Sequence, residues 1–128
     1  MRNALMKSEY QAIWTTAYTA GMAAAAAITP QPIAAVQTDL YGNPIQGARV
    51  HILNDGACGF AWVSFAGNTA FGRWAKSTGL ARKAYGGGLQ IWVHEFGQSM
   101  TRKEAFARAA AATLRECGID AHSGSRMD

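Results

Sequence analysis

The sequence predicts one α+β domain in two layers. An antiparallel sheet of four to five strands carries two long helices on one face, with a short helix before the last main strand. Three observations lead there. Residues 9–28 and 102–117 repeat their apolar positions at three- and four-residue spacing, the pattern of an amphipathic helix. Between them lie short apolar runs bounded by Gly, Asn, Asp and Pro, the pattern of strands. Strands that follow one another through tight turns pair antiparallel, which leaves a face for both helices to cover. At 128 residues the chain has the length of one domain, and it can bury enough surface to fold without a metal or disulfide staple.

Each element has its own local reason. Ser8-x-x-Gln11 reads as a capping box at the start of the first helix. Tyr10, Ile13, Trp14, Ala17, Gly21, Met22 and Ala25 then form one stripe. The second half of this helix is nearly all small residues, which permits close approach to a neighbour, and Pro30 and Pro32 end it. Strands are expected over 33–40 and 49–53, separated by a turn at 41–44. Asn54-Asp55-Gly56 is a hairpin signal. The run 60–65 is apolar on both faces and is expected at the centre of the sheet.

Thr69 is placed to cap a short helix, 70–78, that stops at Gly79. Residues 80–88 read as a loop closed by Gly86, Gly87 and Gly88. The strand 89–95 directs Leu89, Ile91 and Val93 to one side and Gln90, Trp92 and His94 to the other. Thr101-x-x-Glu104 reads as a second capping box. The helix after it sets Phe106, Ala109, Ala110, Thr113 and Cys117 on one face, and Gly118 stops it. Residues 119–121 are a candidate edge strand. The tail from Ser123 to Asp128 reads either as a frayed polar end or as a means for Arg126 to reach an anion site or a neighbouring subunit.

Composition narrows the function classes. The net charge of +4 and the pI near 9.4 permit an anionic partner. Only 16% of residues are charged, which favours a homo-oligomer that hides apolar surface. Cys58 and Cys117 form no CxxC and belong to no Cys/His series, so neither a zinc site nor another cofactor is expected, and both read as reduced thiols. The small-residue run 20–28 lacks the flanks of a signal peptide, and no apolar run reaches membrane-spanning length. The expectation is a cytoplasmic protein.

Arg73, Lys76, Arg82 and Lys83 fall in a segment without an acid, flanked by Trp74 and Tyr85. Arg102 and Lys103 open the last helix, Arg126 lies in the tail, and Trp92 sits on the last main strand. Cations beside aromatics suit phosphates with stacked bases, and a helix N-terminus adds backbone N–H groups and a positive dipole end. The blander reading is a solvated loop with Trp74 in the core. The glycines at 86–88 precede a strand and lack the phosphate-loop pattern, so a nucleoside triphosphatase is set aside. Cys58 with His51 or His94 could form an activated thiolate, against the alternative of a small buried hydrophobe.

Two resemblances follow from these residues. The helix–three strands–helix order, with Thr101-Arg102-Lys103-Glu104 opening the last helix, resembles a double-stranded RNA-binding domain, which implies phosphate contacts from that helix start. The chain departs from it by an inserted helix and by fewer cations. Thr29-Pro30-x-Pro32, Cys58-Gly-Phe-Ala-Trp-Val63, Gly87-Gly88 before Ile91-Trp92-Val93, Gln98-Ser99 and the closing Ser125-Arg-Met-Asp128 resemble a family of small tailed-bacteriophage proteins of unassigned function. That resemblance implies a compact accessory factor in a bacterial host cytoplasm, acting on a host or defence component. The expectation is a non-enzymatic phage protein that binds nucleic acid or a nucleotide. The alternatives are a protein-interaction or virion-associated factor, or a small enzyme with a Cys–His site.

Overall fold

A computed structural model describes residues 2–28, 33–36, 50–53, 58–97 and 99–127, with side chains described over 7–28, 58–97 and 99–127. In chain order the elements are α1 (Arg2–Ala26), β1 (Ile33–Val36), β2 (Val50–Leu53), β3 (Gly59–Phe65), α2 (Ala70–Ser77), β4 (Arg82–Lys83), β5 (Leu89–Trp92), α3 (Met100–Glu116) and β6 (His122–Met127). The architecture is α+β, as the sequence predicts. One antiparallel four-stranded sheet, ordered β4–β5–β3–β6, packs against the helices. β1 pairs with β2 in a separate two-stranded ribbon.

From β3 onward the order is β-α-β-β-α-β. β3 is antiparallel to β5 and β6, and β5 is antiparallel to β4. β3 and β4 are therefore parallel with β5 between them, and α2 makes the crossover. Likewise β5 and β6 are parallel with β3 between them, joined by α3. This is the split β-α-β arrangement, in which both crossover helices fall on one face. The sequence reading pairs successive strands through hairpin turns, whereas β2 pairs with β1 and β3 takes β5 and β6 as its neighbours. The order implied by a double-stranded RNA-binding domain is not formed, because β1 and β2 pair with each other while β3 takes β5 and β6 as neighbours.

β3 is central, as its two apolar faces predict. Ala61, Val63 and Phe65 meet Leu89, Ile91 and Val93 on the helix side, where α2 adds Phe71 and Ala75, and α3 adds Phe106, Ala107, Ala110, Ala111 and Leu114. α1 packs along α3 through the stripe read from the sequence, with Trp14, Ala17 and Ala25 buried and Tyr10, Ile13 and Met22 half-buried. Gly21 is the point of closest approach: a Cβ there would stand 2.6 Å from the Phe106 ring. No described helix is long and apolar enough to cross a membrane.

Several boundaries differ from the sequence reading, each for a local reason. α1 begins at Arg2, so Ser8 lies inside the helix and not at its cap. Thr69 does cap α2, its hydroxyl accepting from the Gly72 amide at 3.0 Å. α3 is capped by buried Ser99, which accepts from the Arg102 amide, so the helix starts before Thr101. Glu104 is thereby free to bind elsewhere: it pairs with Arg108 at 3.0 Å and accepts from Ser125 Oγ at 3.1 Å. The buried face of α3 is offset from the expected one, so Leu114 is fully buried and Cys117 is exposed. Gly118 ends α3 with φ +86°, while the Ile119 amide reaches back to the Leu114 carbonyl at 2.9 Å. The region 80–88 contains β4, and the edge strand is 122–127, not 119–121. The polar tail is therefore a six-residue strand on β3. The remainder of the expected strand 33–40 and the turns at 41–44 and 54–56 lie outside the described residues.

Candidate functional site

The sheet face turned away from the helices carries Phe60, Trp62 and Ser64 of β3, alternating with buried Ala61 and Val63. The pleat requires this alternation. Register then fixes which side chains meet across strands. Trp62 lies opposite Trp92 on one side and Gly124 on the other, Phe60 lies opposite Arg126, and Ser64 lies between Gln90 and His122. Arg82 lies opposite Gln90 and extends that row.

The three rings form one connected group. The Trp62 and Trp92 centroids are 5.0 Å apart, and Phe60 meets Trp92 edge-on at 6.0 Å. Gly124 makes room for Trp62: a Cβ there would fall 2.5 Å from the indole nitrogen. Two cations flank Phe60, with the Arg126 guanidinium carbon 5.4 Å and the Lys103 Nζ 5.6 Å from its centroid.

A groove of about 530 Å³ lies against two of these rings, Phe60 and Trp92, and is lined also by Arg82, Gln90, Lys103 and Arg126. His94, which is exposed, and Gly97 also line it. Among the described residues, no carboxylate lines it. Two described acids, Glu95 and Glu104, are engaged elsewhere. Glu95 accepts from the Tyr18 hydroxyl at 3.2 Å and from the His94 amide at 3.1 Å, and Glu104 serves Arg108 and Ser125.

Lys103 is the most telling residue of the groove. It is only 5% exposed, and its ammonium donates to the Gly59 carbonyl at 3.3 Å. Among the described residues it has no acidic partner. Lysine is almost never this deeply buried without one, because a desolvated charge is costly unless it is paired. One carbonyl and one ring face leave ammonium protons unspent.

The structure thus brings Arg82, Lys103, Arg126 and Trp92 of the sequence-predicted residues into one place. It puts the others elsewhere. Lys76 and Lys83 line a second cavity of about 460 Å³ with Asn68, Gly87 and Gly88. Arg73 is exposed and donates to the Asn68 carbonyl at 3.0 Å. Trp74 is half-buried at the edge of the core, 5.5 Å from Phe71 and 6.1 Å from Tyr10. Tyr85 is fully exposed in the β4–β5 turn. Arg102 contributes its amide to the Ser99 cap. Phe60, Trp62 and Gln90 are absent from the sequence-predicted set. The signal for Phe60 and Trp62 was the period-two alternation of 59–65, which puts them on one face together, and the alternation of 89–95 already set Gln90 on the side of Trp92.

Cys58 is exposed and hydrogen-bonds to no histidine among the described residues; the side chain of His51 lies outside them. His94 is exposed and lines the groove. Among the described residues, no group of three or more His, Cys, Asp and Glu side chains could hold a metal ion. The groove can therefore take a planar ring against Phe60 and Trp92 and an anion at its cationic end; among the described residues no Ser, Thr or Cys lines it. Comparison with protein-family models, with curated proteins and with solved structures yields no match.

Proposed function

We propose that the exposed sheet face binds single-stranded nucleic acid, with bases stacked on Phe60, Trp62 and Trp92 and phosphates held by Lys103, Arg126 and Arg82. The observation that carries this reading is Lys103, buried against Phe60 at the groove with no acidic partner among the described residues. A site for an apolar ligand would not keep an uncompensated ammonium in its wall, whereas a phosphate supplies the missing charge and acceptors. Aromatic rings accept any base, because every base has a π-face. Four-stranded sheets with aromatics on their central strands can bind single-stranded RNA in this way. That parallel supports the mode of binding and assigns no family.

The resemblance to tailed-bacteriophage proteins supports a setting in the cytoplasm of an infected bacterium. There the chain would act without catalysis, by occupying nucleic acid or a nucleotide that the host or its defence uses.

A free nucleotide is the second reading, favoured by the groove volume of about 530 Å³, within the ordinary range for small-ligand sites. Fluorescence anisotropy with labelled single strands of increasing length separates the two. Strand binding gains affinity from the mononucleotide to an octamer and weakens steeply with salt. A nucleotide site saturates at one or two residues. No binding of either at low salt removes the proposal.

A further inference from the structure

We infer that Gln90 and Arg82 read the edge of the base stacked on Trp92 and select guanine over adenine; the inference rests on the stacking site proposed above. One row of polar residues crosses the exposed face through Arg82, Gln90, Ser64 and His122, one pleat away from the Trp92–Trp62–Gly124 row. Two residues of strand separate the rows, about 7 Å, so a ring lying over Trp92 presents its edge to the polar row.

The two halves of that row differ. Ser64 Oγ donates to the His122 carbonyl at 3.3 Å, and the His122 ring pairs with Asp120 at 2.9 Å. Both are satisfied within the protein. Gln90 is half-buried, Arg82 is exposed, and among the described residues neither side chain makes a hydrogen bond. Both line the groove beside Trp92. The Gln90 amide and the Arg82 guanidinium are thus open from the groove and uncommitted among the described residues, available to the edge of a ligand.

The chemistry of the pair sets the preference. Arg82 offers donors only, in a planar fork. Guanine presents two acceptors to such a fork, O6 and N7. Adenine puts its N6 amino donor where guanine has O6, so the guanidinium would face a donor. Gln90 adapts to either base by turning its amide, donating to O6 and accepting from N1–H of guanine. The discrimination therefore resides in Arg82, and Gln90 completes the edge.

The test measures anisotropy of labelled single-stranded octamers: all adenine, one central guanine, and the same site carrying inosine or 2-aminopurine. Inosine keeps O6 and N7, and 2-aminopurine lacks O6. The guanine octamer is expected to bind about ten-fold tighter than the adenine one, as one bidentate contact supplies. Inosine should keep that preference and 2-aminopurine lose it. Arg82→Met, which removes every donor, should bind the guanine and adenine octamers equally. Equal affinity of the native protein for those octamers overturns the base-reading role and leaves stacking standing, because both still bind. A preference that survives Arg82→Met also overturns it. Failure of every octamer to bind removes the stacking site itself.

Discussion

The ammonium of Lys103 stands 5.6 Å from the centroid of Phe60, on a residue only 5% exposed, and its hydrogen bond goes to the Gly59 carbonyl and not to an acid. A folded chain gains little from such an arrangement, because desolvating a charge costs more than one carbonyl and one ring return. Lys103→Met keeps the length and fills the same volume without the charge. Its melting temperature is expected to equal or exceed that of the native protein, while affinity for single-stranded nucleic acid falls about ten-fold or more, as loss of a charged hydrogen bond does. Thermal denaturation paired with anisotropy checks both. A variant that binds normally, or that unfolds, assigns Lys103 a structural role instead.

Trp92 is the centre of the aromatic group, in contact with both Phe60 and Trp62. Trp92→Ala should lower affinity by the value of one stacked base, about 1–3 kcal/mol. Circular dichroism of the variant separates this from unfolding. Because the ring is half-buried on the face away from the core, the fold should persist.

The stripe on α1, the Thr69 cap, the central place of β3 and the stop at Gly118 were all legible in the sequence. Each rests on residues within a few positions of one another. The sheet order was not legible. β4 is two charged residues, Arg82 and Lys83, with no alternation to announce a strand. β6 is rich in small polar residues, and it becomes a strand because β3 offers it a complete register from Gly59 to Ser64. Without these two strands the split β-α-β order cannot be drawn. The site suffered likewise. The cations along the chain could be counted, but only the register across β3 shows that Arg126 meets Phe60. Of the two readings open for Trp74, its contacts with Tyr10 and Phe71 select the core edge. Lys103 read as an exposed cation because its burial depends on where α3 crosses the start of β3.

Three cations line the groove, so binding should weaken with salt on a logarithmic slope of about −2 for a single strand. Arg126→Gln should bring that slope closer to zero by about 0.7. Titrations across a range of salt concentrations measure it. A slope near zero would mean that phosphates are not the contacted groups.

Gly21 allows α1 to lie against Phe106, and Phe106 is among the largest fully buried side chains. Gly21→Ala adds a methyl group where the ring already stands. Overpacking costs about 1–3 kcal/mol, and the gain in helix propensity offsets at most about 1 kcal/mol. A net loss of stability in urea denaturation is expected, with binding retained.

Tyr18 gives the fold an alkaline sensitivity. Partial burial, then the neighbouring Glu95 carboxylate and its hydrogen bond, hold the Tyr18 hydroxyl above its ordinary value of 10.0. The folded state therefore keeps this proton longer than the unfolded state. The stability it contributes is complete below the ordinary value and is lost as pH rises past it. Tyr18→Phe should lose less stability than the native protein between pH 8 and strongly alkaline conditions. Parallel stability curves for the two would contradict this.

The most direct test of the account is a map of amide and indole NMR shifts on titration with a short mixed-sequence single strand. The account predicts that the perturbed residues are Phe60, Trp62, Arg82, Gln90, Trp92, Lys103 and Arg126, with the α1–α3 contact around Gly21 and Phe106 silent. Perturbations confined to the helix side, or none at saturating strand, would contradict it.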